Sequence, residues 1–238
     1  MQIAEDIEII DLALYLKKDN ILVLADTHIG YEEALNKQGV LIPRFQFKEI
    51  VERLEAVLRK AGKPDKIIIN GDIKHEFGAI SEQEWRHTLR LLDFLGRHCR
   101  EIILVKGNHD NILGPIARKR GVKVLESYRV DGVLVVHGHR IIGRDELKGI
   151  KTIIIGHEHP AVSVCEGARA ELFKCFLKGK WKNRTLIVQP SFNLVSEGTD
   201  VLKERLLSPF LQQELGSFEC FLVGDEVYGF GKLEKLRP

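Results

Sequence analysis

The sequence is short of cysteine, methionine and long apolar segments, and these shortages exclude several classes of protein. Its four cysteines form no C-x-x-C pair, which excludes zinc-ribbon and thioredoxin-like motifs and indicates small apolar side chains in a reduced chain. No run reaches the roughly 18 apolar residues of a membrane-spanning helix. Met1–Asp11 is acidic and lacks a long apolar stretch, so no signal peptide is predicted and we expect a cytoplasmic location. The single methionine, with helices rich in Glu, Lys and Arg, is typical of thermophilic proteins.

The chain also lacks an excess of either charge. Its 36 basic and 34 acidic residues leave a net charge of +2. A strongly basic chain would indicate bulk binding to nucleic acid or to an anionic membrane, and this balance does not. Any contact with nucleic acid must therefore use local patches. The 238 residues, 44% of them hydrophobic, suffice for one substantial core and predict a single domain over residues 1–238.

Hydrophobic periodicity predicts alternating strands and helices in the first half of the chain and mostly strands in the second. Helices are predicted at Phe45–Lys60, from a Ser81-x-x-Glu84 capping box, and near Ile112–Lys119. Strands are predicted at Ala13–Leu16, Ile21–Ala25, Ile67–Asn70, Ile102–Val105, Val122–Leu125, Tyr128–Val130, Val133–Val136, Ile153–Ile155, Ala161–Cys165, Leu172–Leu177, Leu186–Val188, Phe218–Val223 and Val227–Phe230. Two packed, mixed β-sheets with helices on the outer faces, a four-layer αββα sandwich, accommodate both halves.

Seven of the nine histidines stand in five short polar segments, each of which follows a run of apolar residues. Strands that lie side by side bring such segments to one edge of a sheet, where the ligands of open sheets collect. A site at the strand ends is therefore predicted. The five segments are Ala25–His28, Gly71–His75, Gly107–Asp110, His137–His139 and Gly156–His159.

The spacing within these segments favours a metal centre. Residues two apart on an extended strand end point to the same face, so Asp26 with His28, and likewise His157 with His159, can bind one ion. Imidazole and carboxylate ligands without thiolate suit Mn²⁺, Fe²⁺, Co²⁺, Ni²⁺ or Zn²⁺. The candidates exceed what one tetrahedral zinc accepts, but two ions about 3.5–4 Å apart, bridged by a carboxylate, would use them.

In this order the segments resemble the signature of the calcineurin-like metallophosphoesterases: D-x-H, G-D, G-N-H-D, a histidine near a glycine, and G-H-x-H. The resemblance runs from Ile21 to about Phe192. It implies a catalytic role for His109, with Asp110 as the acidic partner that holds its ring. It also implies a bridging role for Asp72 between two divalent ions, Mn²⁺ being the first expectation. The implied ligands of the first ion are Asp26, His28 and His159, and those of the second are Asn108, His137 and His157.

Within that family the chain is most similar to the ICC-like phosphoesterases related to the nuclease SbcD and the ligase-associated endonuclease PdeM. The likeness lies in Asp26–Tyr31, Gly71–His75 and Val188–Asn193. It implies that His75 contacts the substrate, although a hydrogen-bonded loop histidine is an equal alternative.

The expected function is hydrolysis of a phosphodiester, by in-line attack of water that two cations activate. Candidate substrates are nucleic acids and cyclic nucleotides. A phosphomonoesterase acting on a small metabolite or phosphoprotein needs the same ions and stays an alternative. A scaffold that keeps the fold without hydrolysis is a third hypothesis, which the complete ligand set disfavours.

Other polar features have simpler interpretations. His139 is expected beside the ligands rather than among them, and His87 and His98 on the surface or in the core. The basic run at Arg118–Arg120 suits a helix end better than a phosphodiester backbone. Trp181, within the basic segment Lys178–Arg184, could stack on a base, but a charged hairpin tip that protects a strand edge is favoured.

Overall fold

The computed structural model describes residues 1–78, 80–167 and 169–236, apart from a few side chains that include that of Cys165. This part of the chain forms two mixed β-sheets flanked by four α-helices, which confirms the predicted sandwich. The helices are α1 (Tyr31–Lys37), α2 (Gln46–Ala61), α3 (Glu82–Gly96) and α4 (Gly114–Arg120), and a 3₁₀ turn covers Leu233–Lys235. Among the described residues, no helix combines the length and the apolar character that crossing a bilayer requires.

The first sheet has seven strands in chain order, and its second half is parallel. Every residue of β4 is buried, because the strand carries apolar side chains on both faces and both faces are covered. The strands are β1 (Gln2–Ala4), β2 (Ile7–Ile10), β3 (Ala13–Leu16), β4 (Ile21–Ala25), β5 (Lys66–Asn70), β6 (Glu101–Val105) and β7 (Lys123–Leu125).

The second sheet has nine strands, in which β9, β10 and β13 run parallel, β11 and β14 form a second parallel pair, and the other pairs are antiparallel. Alternate residues of β10 lie on opposite faces of the sheet. Ile154 packs in the core between the two sheets, while Ile153 and Ile155 are buried in a second hydrophobic cluster on the other face. The strands are β8 (Tyr128–Val130), β9 (Val133–Val135), β10 (Thr152–Ile155), β11 (Pro160–Glu166), β12 (Arg169–Trp181), β13 (Arg184–Val188), β14 (Thr199–Asp200), β15 (Glu219–Val223) and β16 (Val227–Lys232).

All the predicted strands and helices are present, with ends shifted by a few residues, and five short elements were not predicted: β1, β2, α1, β14 and the 3₁₀ turn at Leu233–Lys235. The capping box at α3 is half formed. The Ser81 hydroxyl accepts the Glu84 amide at 3.1 Å, whereas the Glu84 carboxylate accepts the amides of His75 and Glu76 instead. Glu84 therefore supports the loop that follows Asp72 rather than its own helix.

Two basic segments have the structural roles that were favoured over contacts with nucleic acid, namely a hairpin tip and a helix end. Strand β12 extends to Trp181, whose side chain is only 7% exposed and packs against Phe210 with ring centroids 4.8 Å apart. Base stacking by Trp181 is therefore wrong, because its ring belongs to the core beneath the second sheet. The run at Arg118–Arg120 ends α4, and the Arg120 guanidinium pairs with the Asp93 carboxylate.

Candidate metal centre

The five polar segments meet where the two sheets join. They follow β4, β5 and β6 of the first sheet and β9 and β10 of the second, and backbone hydrogen bonds link them. The His157 amide donates to the Asp26 carboxylate at 2.9 Å, and so ties the second sheet to the first. Within the second sheet, the Gly156 amide donates to the His137 carbonyl at 2.8 Å. All seven predicted ligands converge on this joint.

A first group consists of Asp26, His28 and His159. One potential ligand atom of each residue lies within 4.8 Å of the others. The Nε2 atoms of His28 and His159 are 3.2 Å apart, and His159 Nε2 is 3.7 Å from Asp26 Oδ1. The group has the size and the donor chemistry to hold one divalent cation.

A second group consists of Asp72, His137 and His157, whose potential ligand atoms also lie within 4.8 Å of one another. Asn108 joins it, because Asn108 Oδ1 is 2.9 Å from His137 Nε2. Asp72 stands between the two groups: its Oδ2 atom is 3.2 Å from His137 Nε2 and 3.9 Å from His28 Nε2. This is the place a bridging carboxylate requires, while the roles of individual ligands stay predictions.

His28 and His157 have the neutral protonation state that cation binding requires. Burial lowers the pKa of His28, with a further contribution from His159. Burial and the charge on His137 lower the pKa of His157 to about 4. Both imidazoles are therefore neutral near pH 7, which is the form that binds metals.

The aspartates make the centre attractive to positive charge. Burial opposes a charged His137, yet the hydrogen bond to Asp72 and the charge on Asp26 raise the pKa of His137 to about 9. Burial would likewise raise the pKa of Asp72, but His137 and the other nearby histidines lower it well below its usual value. A pair of carboxylates that draws a proton onto a buried imidazole also attracts a metal cation.

Unsatisfied polar atoms and backbone strain concentrate at the same residues. The buried atoms Asp26 Oδ1 and His28 Nδ1 have no hydrogen-bond partner in the described part of the chain. Left-handed backbone conformations cost on the order of 1–3 kcal/mol each at residues other than glycine. Five predicted ligands adopt them: Asp26, His28, Asp72, His157 and His159. Such strain clusters at functional sites, and a bound cation would supply the partner that Asp26 Oδ1 lacks. The residues present therefore fit a metal.

His109 lies beside the two groups, with its Nε2 atom 3.8 Å from Asp72 Oδ2. Its Nδ1 atom faces the carbonyl of His75, which therefore fixes the orientation of the ring. The expectation that Asp110 holds this ring is wrong. The buried Asp110 carboxylate accepts the Gly107 amide at 3.0 Å, and burial together with the charge on Asp72 raises its pKa to about 7.

The other predicted neighbours border the same centre. The half-buried His75 ring lies 5.4 Å from the His28 ring between centroids, and burial lowers its pKa to about 4. His139 lies 5.3 Å from His137 and 6.1 Å from His157, beside the ligands as expected. His87 stacks on Phe47 in the outer helices.

Three charged residues, of which two are buried and Lys174 is partly buried, support the centre, and no sequence pattern indicated their roles directly. Lys74 donates to the carbonyls of Glu76 and His109. Glu158 accepts the Leu207 and Ser208 amides at 2.9 and 2.7 Å, and so anchors an irregular segment beside the ligands. Lys174 donates to both oxygens of Ser191, at 3.0 Å for the carbonyl and 2.7 Å for the hydroxyl. Lys74 and Glu158 lie inside the motif segments, and this position is the sequence feature that could have indicated their roles. Lys174 lies in strand β12, outside those segments.

Gly107 leaves room for Asp72. A Cβ atom added at Gly107 would lie 2.0 Å from Asp72 Oδ1, far inside van der Waals contact. We expect Gly107→Ala to displace the Asp72 carboxylate and to weaken Mn²⁺ binding by roughly tenfold to a hundredfold, the usual effect of disturbing the support of a ligand. Isothermal titration with Mn²⁺ measures this. Gly96→Ala, whose Cβ would be 3.9 Å from Ile102, is the control, and equal affinities for the two variants would contradict the prediction.

Binding of metal at this joint should stabilise the whole fold, because the ligands come from both sheets. With Mn²⁺ at about a hundred times its dissociation constant, linkage adds roughly 2.7 kcal/mol to the free energy of unfolding. For a chain of this size we expect Tm to rise by about 5–10 °C. Thermal unfolding after chelation, with and without added Mn²⁺, tests this. An unchanged Tm with saturating Mn²⁺ would be inconsistent with a preformed centre.

Comparisons with known proteins place this geometry in a known fold. The family model described as calcineurin-like phosphoesterase matches residues 20–178, which contain all seven predicted ligands. The Pseudomonas putida nuclease MPE is 20% identical, the match covers 92% of each chain, and the TM-score is 0.66. The Escherichia coli phosphoesterase Yfce is 13% identical over 90% of this chain and 97% of that chain, with a TM-score of 0.45. No curated protein matches the chain.

Proposed function

Since the chain belongs to the calcineurin-like phosphoesterase family, we propose that it is a metal-dependent phosphodiesterase. The main support is the position of Asp72 Oδ2, which lies between His28 on one side and His137 on the other. A carboxylate placed in this way would serve two cations at once. A complete set of ligand groups around it disfavours a non-catalytic scaffold.

The proposed ligands follow the two groups. Two divalent ions, Mn²⁺ being the first choice over Ni²⁺, Fe²⁺, Co²⁺ or Zn²⁺, would supply charge to the phosphate oxygens and lower the pKa of water. Asp72 would serve both ions. The first ion would be held by Asp26, His28 and His159, and the second by Asn108, His137 and His157.

His109 is the proposed general acid. Its Nδ1 atom donates to the His75 carbonyl, so the ring is oriented with Nε2 towards the centre. A ring that also carries a proton on Nε2 can donate it to the oxygen of the leaving alcohol, or can stabilise the charge that develops there. No covalent bond between the chain and the substrate is required.

The charges near the centre favour a diester over a monoester. A monoester dianion carries one more negative charge, which a site selects by offering free cationic side chains. Lys74 is the buried cation next to His109, and its ammonium group is already bound to the carbonyls of Glu76 and His109. We therefore propose a monoanionic diester as the substrate.

Hydrolysis of bis-4-nitrophenyl phosphate and of 4-nitrophenyl phosphate, with Mn²⁺ at one pH, tests this proposal. We expect kcat/KM for the diester to exceed that for the monoester by about tenfold or more, since no free cationic side chain among the described residues of the centre offsets the additional charge of the monoester, a deficit on the order of 1.4 kcal/mol. The variant Asp72→Asn, purified in parallel, controls for contaminating phosphatases. A clear preference for the monoester would replace the proposal by a phosphomonoesterase. Absence of both metal and hydrolysis would favour the scaffold.

A further inference from the structure

Phe77 is an exposed aromatic residue at the edge of the candidate centre. It lies in the loop between β5 and α3, two residues after His75, and 55% of its surface is accessible. Burying a phenylalanine stabilises a fold, and Phe77 forgoes about half of this contribution. An isolated exposed apolar side chain is ordinary. The neighbours of Phe77 are what distinguish it.

The ring of Phe77 packs on the ring of His109, with centroids 3.5 Å apart and planes inclined by 30°. The row continues to His75, 5.5 Å from His109, and to Tyr31, 4.3 Å from His75. We name these four residues, Tyr31, His75, His109 and Phe77, the ring row. Because His109 Nε2 is 3.8 Å from Asp72 Oδ2, the Phe77 end of the row is one ring away from the candidate phosphate site.

The backbone just before Phe77 is held in place by partly buried hydrogen bonds. The His75 and Glu76 amides donate to the Glu84 carboxylate at 2.8 and 2.9 Å. From the other side, the Lys74 ammonium group binds the Glu76 carbonyl immediately before Phe77. The exposed ring is thus positioned before any ligand arrives, which reduces the entropy lost when a ligand stacks on it.

We propose that Phe77 is a specificity residue that stacks on a nucleobase, so that the substrates are nucleoside phosphodiesters. This inference rests on the proposed phosphodiesterase function. Every base offers a flat π face, and stacking of a base on an aromatic side chain adds to the binding affinity. A methyl group in place of the nucleoside reaches the same phosphate site but has no flat face to offer to the ring row. The Phe77 contact therefore gives nucleoside esters a higher binding affinity than simple esters.

Two substrates with the same leaving group test the proposal: thymidine 5′-(4-nitrophenyl phosphate) and methyl 4-nitrophenyl phosphate. The measured quantity is the ratio of their kcat/KM values with Mn²⁺. We expect Phe77→Ala to lower this ratio by about tenfold, mainly through KM of the nucleoside ester, because the stacking partner is lost. Phe77→Tyr should restore the ratio. Phe230→Ala, which removes another exposed phenylalanine from edge strand β16, should keep the wild-type ratio.

If both substrates lose activity equally in Phe77→Ala, the residue only positions His109 and the proposal is overturned. An unchanged ratio overturns it as well. Binding of thymidine 5′-monophosphate and of inorganic phosphate, measured by calorimetry, gives a readout that does not depend on turnover. Weaker binding of the nucleotide alone in Phe77→Ala supports stacking even if hydrolysis of every diester fails. In that case the proposed function falls while the nucleoside site stands.

Discussion

Asp72→Ala should lose bound divalent metal at both positions and reduce phosphodiester hydrolysis by at least about a thousandfold, because both ions share this ligand in the proposed centre. The Asp72 carboxylate lies 3.2 Å from His137 and 3.9 Å from His28, so its removal takes one ligand from each group. It also removes the oxygen that accepts the His109 amide at 2.9 Å. Metal content by mass spectrometry and kcat/KM with Mn²⁺ measure the two effects.

Asp72→Asn tests the negative charge of the Asp72 side chain separately from its size and shape. An asparagine at this position keeps an oxygen that can accept the His109 amide but loses the negative charge that draws cations. We expect metal content to fall in Asp72→Asn nearly as far as in Asp72→Ala. Asp93→Ala, at an exposed aspartate paired with Arg120, should keep both metal and activity. Full metal occupancy in Asp72→Ala would refute the shared ligand.

The convergence of the five segments could be predicted from sequence because parallel strands align their ends. Strands β4, β5 and β6 each consist of an apolar run followed at once by polar residues. Once those runs are neighbours, Asp26, Asp72 and Asn108 must lie at the same edge. The segment with His157 and His159 follows β10 in the same way, and the packing of the two sheets brings His159 to the first group and His157 to the second.

The roles of residues within the segments could not be predicted, because they depend on which backbone groups lack partners. Asp110 follows His109 directly, but the free amide nearest to its carboxylate is that of Gly107. The carbonyl that orients His109 belongs to His75, which is distant in sequence and lies in the loop after the neighbouring strand β5. Adjacency in a motif thus indicates a shared site and does not indicate a shared hydrogen bond.

The remaining differences between prediction and structure concern which side chains are buried and which long-range partners they have. The aromatic residue expected at a charged surface tip, Trp181, is in the core, whereas Phe77, which no pattern distinguished, is exposed beside His109. Lys174 lies between Phe173 and Cys175 in β12 and gave no sign that it binds Ser191. The segment it holds donates an amide, that of Phe192, to the Ala25 carbonyl at 2.7 Å, just before Asp26. Long-range partners of this kind have no local signature.

His109→Ala should retain both metals and still reduce kcat for phosphodiester hydrolysis by about a hundredfold to a thousandfold, the usual contribution of a general acid. The imidazole of His109 contacts the centre from outside the two ligand groups, at 3.8 Å from Asp72. Its loss leaves the Asp72 carboxylate and the other ligands in place, while the leaving oxygen has no proton donor. Metal analysis and kinetics on the same preparation distinguish this result from that of Asp72→Ala.

Leaving-group dependence provides a sharper readout of the same variant. If His109 protonates the leaving oxygen, its removal should slow diesters of poorly acidic alcohols more than diesters of 4-nitrophenol, which departs without a proton. His98→Ala, at the end of α3 and away from the centre, is the matched histidine control and should behave as wild type. Loss of metal from His109→Ala would make His109 a ligand, and an equal slowing of all diesters would limit its role to stabilising charge on the phosphate.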